Sequence, residues 1–238
     1  MCDQCGCGQP SNHHHHHEDG AVKTTIDVAQ DVLAHNRAHA ESLRRRLAGI
    51  DARLVNIIGS PGCGKTRLIA GLLGALSGSA HCVVVEGDLA TDNDARRIRE
   101  TGTPVFQIQT GTVCHLTAHD VEHALEHLPL KGQRSLVIVE NVGNLVCPSM
   151  FDIGESMRIV CLSTPEGTDK LQKYPVTFRE ADLVVITKGD LIEHVDFDIN
   201  ACLGMIRDIK PSLPCLVTSM RDPSTIEPLA AALLALWK

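Results

Sequence analysis

The sequence predicts a doubly wound α/β fold, a mainly parallel sheet of about seven strands flanked by helices. Three observations lead there. Short β-branched runs alternate with segments of helical pattern along most of the chain. Those runs are apolar throughout, as in strands covered by helices on both faces, and do not alternate apolar with polar. The first of them leads directly into a glycine-rich loop and then an apolar helical stretch. With 238 residues the chain is long enough for one such domain with a large core, plus a short head.

Residues 1–22, "MCDQCGCGQPSNHHHHHEDGAV", contain almost no large apolar side chains. Burial there cannot offset the entropy of ordering, so a flexible head rich in cysteine and histidine is expected. Residues 23–50 read as a lead-in helix packed on the domain that follows. Ile26, Val32, Leu33, Ala40, Leu43 and Leu47 fall at helical spacing, and the pattern stops before Gly49. Arg44, Arg45 and Arg46 form its solvated last turn, favoured by the helix dipole. From residue 51 to 238 the runs "RLVNIIGS", "HCVVVEGD", "TPVFQIQT", "SLVIVENVG", "MRIVCLST", "DLVVITKGD" and "CLVTS" supply the strands. No internal repeat is present, and the histidine run is the one low-complexity piece.

A formal net charge of -7 provides no basic field to draw the protein to nucleic acid or to an anionic membrane. No apolar run reaches the roughly 18 residues of a membrane span, and the polar beginning lacks the core of a signal peptide. A cytoplasmic protein is expected. In that compartment ten cysteines are not five disulfides. Cys82, Cys161, Cys202 and Cys215 lie in apolar runs and are expected in the core.

"GSPGCGKT" spans Gly59 to Thr66 between a strand and a helix, the context that GxxxxGK[ST] requires. Gly59, Pro61, Gly62, Cys63 and Gly64 shape a loop whose backbone amides can cradle phosphate oxygens, with Arg67 following. Lys65 reaches the outer phosphates and Thr66 offers its hydroxyl to Mg²⁺. Asp88 and Glu140 close two strands at the edge where a nucleotide binds. They can hold the magnesium ion, directly or through water, and orient an attacking water. Asp92 and Asp94 read more simply as acids at a helix start. In "VVITKGDL", Asp190 can accept both N–H groups of guanine that adenine does not present, with the Lys188 stem along the base. Thr187 replaces the usual Asn of NKxD, a replacement that also occurs in a related branch of P-loop GTPases. "VTSM" resembles the looser fifth GTPase motif, with backbone near Ser219 meeting the guanine carbonyl and Met220 where Lys is frequent. The expected ligand is GTP or GDP.

"GTVCHLTAHDVEHALEH" places histidines at 115, 119, 123 and 127. On a helix these form one stripe opposite Ala118, Val121, Leu125 and Leu128, so the imidazoles face solvent. His123 and His127 read as polar surface. Cys114 beside His115, at a helix start, is a soft ligand pair suited to Zn²⁺ or Ni²⁺. Cys147 is the plausible third ligand. It lies four residues after Gly143, which ends a [DE]xxG segment of the kind that senses a terminal phosphate. Nucleotide state can thereby alter how complete the metal site is, and two protomers can share its open positions across a two-fold axis.

The CxxCGC head, "GSPGCGKT", "EGDLATDNDA", "CHLTAHDVEHAL" and "ENVGNLVCP" together resemble the hydrogenase nickel incorporation family, HypB, a GTPase branch of the SIMIBI P-loop class. The resemblance spans nearly the whole chain. It implies GTP hydrolysis coupled to Ni²⁺ delivery for [NiFe] hydrogenase, GTP-promoted homodimerisation through the G domain, a HypA-type chaperone and the hydrogenase large subunit as partners. It also implies a tight nickel site at Cys2, Cys5 and Cys7, completed by the terminal amine once Met1 is removed, and a weaker site for Ni²⁺ or Zn²⁺ at Cys114, His115 and Cys147. On that resemblance His13–His17 is native chain and a weak nickel reservoir. Thr187, Met220 and Cys63 depart from the family's motifs. No arginine finger is evident, so hydrolysis is expected to be slow. Three other readings stay open. A urease-maturation GTPase would carry CPH where this chain reads Cys147, Pro148, Ser149; a nickel storage protein would retain only residual GTPase activity; a small-molecule kinase would pass phosphate to an acceptor other than water.

Overall fold

The computed structural model describes residues 25–88, 92–130 and 134–238, with side chains from Asp31 onward. The predicted head, with Cys2, Cys5, Cys7 and His13–His17, lies outside the described residues. In chain order the elements are α1 (Thr25–Gly49), β1 (Ala52–Gly59), α2 (Lys65–Ala75), β2 (His81–Asp88), α3 (Asn93–Arg99), β3 (Val105–Gln109), α4 (Ala118–Glu126) and β4 (Ser135–Glu140). There follow α5 (Cys147–Met150), β5 (Met157–Ser163), α6 (Asp169–Lys173), α7 (Pro175–Arg179), β6 (Leu183–Thr187), α8 (Ile199–Ile209), β7 (Cys215–Val217) and α9 (Glu227–Leu234).

Among the described residues the strands form one seven-stranded sheet in the order β3-β2-β4-β1-β5-β6-β7, and every pairing is parallel. The apolar strands are explained by burial on both faces. Val55, Ile57, Val84, Ile138 and Val185 face α2, α3 and α9. Leu54, Val83, Val85, Val137 and Val139 face α1 and α4, while Val160, Leu162, Val184 and Ile186 face α6, α7 and α8. Burying one such side chain stabilises by about 1.5–3 kcal/mol.

Helix α1 keeps the predicted stripe at Ala40, Leu43 and Leu47, all buried. Val32 departs from it and is 52% exposed, whereas polar Asn36 is buried. The reason is local to the packing: the Asn36 side chain accepts from the Ala118 N–H at 3.0 Å and donates to the Asp152 carbonyl at 2.7 Å. It thus satisfies a donor at the first turn of α4. Of the four cysteines expected in the core, Cys161 and Cys202 are buried, while Cys82 near the start of β2 and Cys215 on the edge strand β7 are half-buried. Because all strands run the same way, Gly59, Asp88, Glu140 and Thr187 finish at one edge, where ligands of open α/β sheets bind. No described helix is long and apolar enough to cross a membrane.

Candidate nucleotide cleft and metal centre

Glycines bend the chain from β1 into α2. Gly62 and Gly64 have φ of 73° and 97°, the left-handed region that side chains disfavour. Gly59 has no room for a side chain, since a Cβ would lie 2.7 Å from Cys63 Sγ and 2.8 Å from the Cys161 carbonyl oxygen. Lys65 and Thr66 open α2 and are buried. The Lys65 ammonium lies across its own loop, donating to the Gly59 carbonyl at 3.3 Å. Above the loop is a cleft of about 390 Å³ lined by Lys65, Thr66, Glu86, Asp88, Glu140 and Gly143, among others.

Three of those side chains are acids, and two are buried. Glu86 and Glu140 are direct partners in the β2–β4 register. Burial, then the Glu140 carboxylate, push the Glu86 carboxyl up to about 8. Burial pushes Glu140 up to about 7, against the pull of Lys65. Thr66 Oγ1 donates to Glu140 Oε1 at 2.9 Å, while the Oε2 atoms of both glutamates are buried without a protein partner. Unpaired buried carboxylate oxygens beside a hydroxyl are oxygen donors of the kind a hard divalent cation takes, so these residues fit Mg²⁺. Sequence reasoning reached Asp88 and Glu140 but missed Glu86. Its signal was present as an acid inside the apolar run "VVVEGD". Asp94 also lines the cleft and holds Arg97, another lining residue, at 2.8 Å.

A second cavity of about 420 Å³ adjoins the first, sharing Gly64, Arg67 and Lys188 with it. Lys188, at φ 57°, donates to the Gly62 carbonyl at 2.8 Å, and Thr187 Oγ1 donates to the Cys63 carbonyl. Threonine thereby ties the base-side loop to the phosphate loop. Asp190 Oδ1 accepts from Ser219 Oγ at 2.9 Å, and Arg221 Nε stands 3.3 Å from Oδ2. The Ser219 N–H donates to Thr225 Oγ1 at 2.9 Å, and its hydroxyl holds Asp190 in place.

Cys114, His115 and Cys147 come together, one donor atom from each within 4.8 Å of the others. His115 stacks on Phe151 with ring centroids 3.9 Å apart. Burial holds its imidazole below the usual value, the neutral form a metal requires. A hydrogen bond between the Cys114 and Cys147 thiols, then burial, push the Cys147 thiol up. The predicted four-histidine stripe is broken. Thr117 caps α4, so His115 lies in the turn ahead of the helix. His127 at the far cap stacks on Phe106 with centroids 4.8 Å apart.

Two tethers join the loops of His115 and Cys147 to the cleft. Gly143 lies so close to the phosphate loop that a Cβ would sit 3.0 Å from Pro61 Cα, and the next residue, Asn144, pairs with Gly59. Asn141, directly after Glu140, accepts from the N–H of Leu116 at 3.1 Å through its side chain. Leu116 follows His115 in the chain and packs over Gly87, where a Cβ would lie 2.9 Å from its Cδ1.

Residues 53–217 match the family described as CobW/HypB/UreG, nucleotide-binding domain. The hydrogenase maturation factor HypB of Azotobacter vinelandii is 43% identical over 198 residues, covering 83% of this chain and 65% of that protein. This chain therefore spans about two thirds of that relative's length. The hydrogenase/urease maturation factor HypB of Helicobacter hepaticus is 38% identical over 207 residues, covering 86% of this chain and 85% of its own. The crystal structure of HypB from Helicobacter pylori in complex with nickel superimposes with a TM-score of 0.80 at 38% identity, over 85% of this chain and 94% of that one. A parallel sheet with a phosphate loop at its centre, and likeness of this extent along both chains, place the protein in the HypB family of hydrogenase maturation factors.

Proposed function

We propose that the protein hydrolyses GTP slowly and carries Ni²⁺ to [NiFe] hydrogenase during its maturation, with metal affinity and homodimerisation set by the nucleotide. The two adjoining cavities support a nucleotide with its phosphates over Lys65 and its base between Lys188 and Asp190. Asp190, oriented by Ser219, accepts from guanine and rejects adenine, because adenine would leave its carboxylate unpaired. Mg²⁺, held by Thr66, Glu140 and Asp88, would neutralise charge on the transferring phosphate. Glu86 shapes that pocket, and Asp88 or Glu140 orients the attacking water. Arg67 and Arg97 line the cleft, but Arg97 is held by Asp94, in keeping with slow turnover.

Nickel is the cargo. Two thiolates and an imidazole form a soft ligand set with open positions, which a second protomer or a HypA-type chaperone can fill before transfer to the hydrogenase large subunit. Zn²⁺ competes for the same set. Cys2, Cys5 and Cys7 supply a tighter site on the head. The observation that carries this reading is the pair of tethers, through which the β4 end that faces the phosphates also holds the loops of His115 and Cys147. Nickel titration of the full chain with Cys2, Cys5 and Cys7 changed to Ser tests it. Affinities with GDP and with a non-hydrolysable GTP analogue should differ about tenfold, a coupling of about 1.4 kcal/mol; equal affinities would refute the coupling. Urease is a second client favoured by one observation, the naming of the Helicobacter hepaticus relative as a hydrogenase/urease maturation factor.

A further inference from the structure

Helix α4 takes part in a second group of metal-ligand side chains, formed where it packs on α1. His119 and Glu122 are three residues apart and so share one side of the helix. They meet His39 of α1, with one donor atom from each residue within 4.8 Å of the others. His39 Nδ1 is 3.3 Å from Glu122 Oε2, and the His39 and His119 rings lie edge to face with centroids 5.3 Å apart. One turn earlier on α1, the His35 ring is 4.7 Å from that of His39.

The scaffold beneath these side chains is rigid. Ala40 and Leu43 of α1 and Ala118 and Val121 of α4 are buried, and the Asn36 bridge to the Ala118 N–H sets one helix against the other. Donors held on packed helices start close to a productive geometry.

We infer that His39, His119 and Glu122 form a second cation site, separate from the thiolate centre, that takes a borderline divalent ion such as Zn²⁺ or Ni²⁺, with His35 within reach as a fourth donor. Two imidazole nitrogens and a carboxylate oxygen match the preferences of these ions, and the absence of sulfur makes the site weaker and quicker to exchange than the thiolate set. Metal bonds of about 2.0–2.2 Å require donor atoms roughly 3–3.5 Å apart, so closure takes only small side-chain rotations. His119 is exposed, which leaves a way in for the ion. The nearest competing cation is Arg46, 3.7 Å from Glu122 Oε1, which leaves Oε2 on the histidine side. Asp120, between the two α4 ligands, is engaged in the capping box with Thr117 and does not enter the set.

Carbethoxylation by diethyl pyrocarbonate, read histidine by histidine in the full chain, tests the site with Zn²⁺ alone as the probe. His39 and His119 should lose reactivity together, at one midpoint, each reacting about tenfold more slowly at ten times that concentration. The same protection should persist in Cys114→Ser/Cys147→Ser and vanish in Glu122→Gln. The His39→Gln variant gives an independent reading, in which His119 should lose its protection. Unprotected histidines in the parent chain, protection that disappears with the two cysteines, or protection unchanged in both Glu122→Gln and His39→Gln would each overturn the site and leave an ordinary surface ion pair.

Discussion

Glu86 and Glu140 show what one residue can do in this cleft. Two carboxyls on neighbouring strands are buried together and both are pushed upward, Glu86 to about 8 and Glu140 to about 7. In an unfolded chain both would titrate near 4.5. Without nucleotide or divalent cation, the folded protein therefore binds more protons than the unfolded chain between those values. Stability is then greatest below about pH 4.5 as far as these two groups are concerned, and is lost as pH rises through about 7 to 8. Glu86→Gln removes the larger of the two shifts. It should flatten the fall in melting temperature between pH 5 and 8, measured by calorimetry on the nucleotide-free chain, and should slow the proposed GTP hydrolysis by disturbing the pocket that would hold Mg²⁺. A variant whose melting temperature keeps the parent's pH slope would contradict this assignment.

Between Glu140 and Cys147 a single connection serves both sites. Asn141 is buried and makes three side-chain hydrogen bonds: from Leu116 N–H, from Val142 N–H and, through Nδ2, to Asn56 Oδ1 at 3.2 Å. Asn141→Ala leaves the buried Leu116 N–H and Asn56 Oδ1 unpaired, at a cost of about 1–3 kcal/mol in urea unfolding. It also frees the His115 loop from the β4 end. The proposed difference in nickel affinity between the two nucleotide states should shrink severalfold, each state being compared at saturating nucleotide because Asn141 itself lines the cleft. An undiminished difference would assign the coupling to the Gly143–Pro61 contact alone.

Across the whole molecule, the Cys114, His115 and Cys147 cluster opens onto an apolar surface. Val113, next to Cys114, is 47% exposed; Val146, next to Cys147, is 44% exposed; Met150 of α5 is 59% exposed. Large apolar side chains left in solvent around a three-donor cluster mark a candidate surface for association. Met150→Lys adds a charge there without touching a metal ligand or the cleft. If the proposed dimer forms through this surface, sedimentation velocity with GTP analogue and nickel should find the parent dimeric and this variant largely monomeric. An unchanged dimer would put the interface elsewhere.

Much of this was legible in the residues themselves. Periodicity and β-branching identified seven strands and the lead-in helix, because those signals arise within a few residues of one another. "GSPGCGKT" likewise states locally the turn from β1 into α2, and Asp88 and Glu140 end strands at the cleft as expected. What only the tertiary structure decided are meetings between distant residues. Glu86 faces Glu140 because β4 inserts between β2 and β1; Asn141 reaches Leu116 because β4 ends beside the turn before α4; His39 meets His119 where the buried Asn36 side chain ties α1 to the start of α4. Strand order and helix packing are set by the best burial of the whole apolar surface, and a local pattern records which residues seek burial without recording against what.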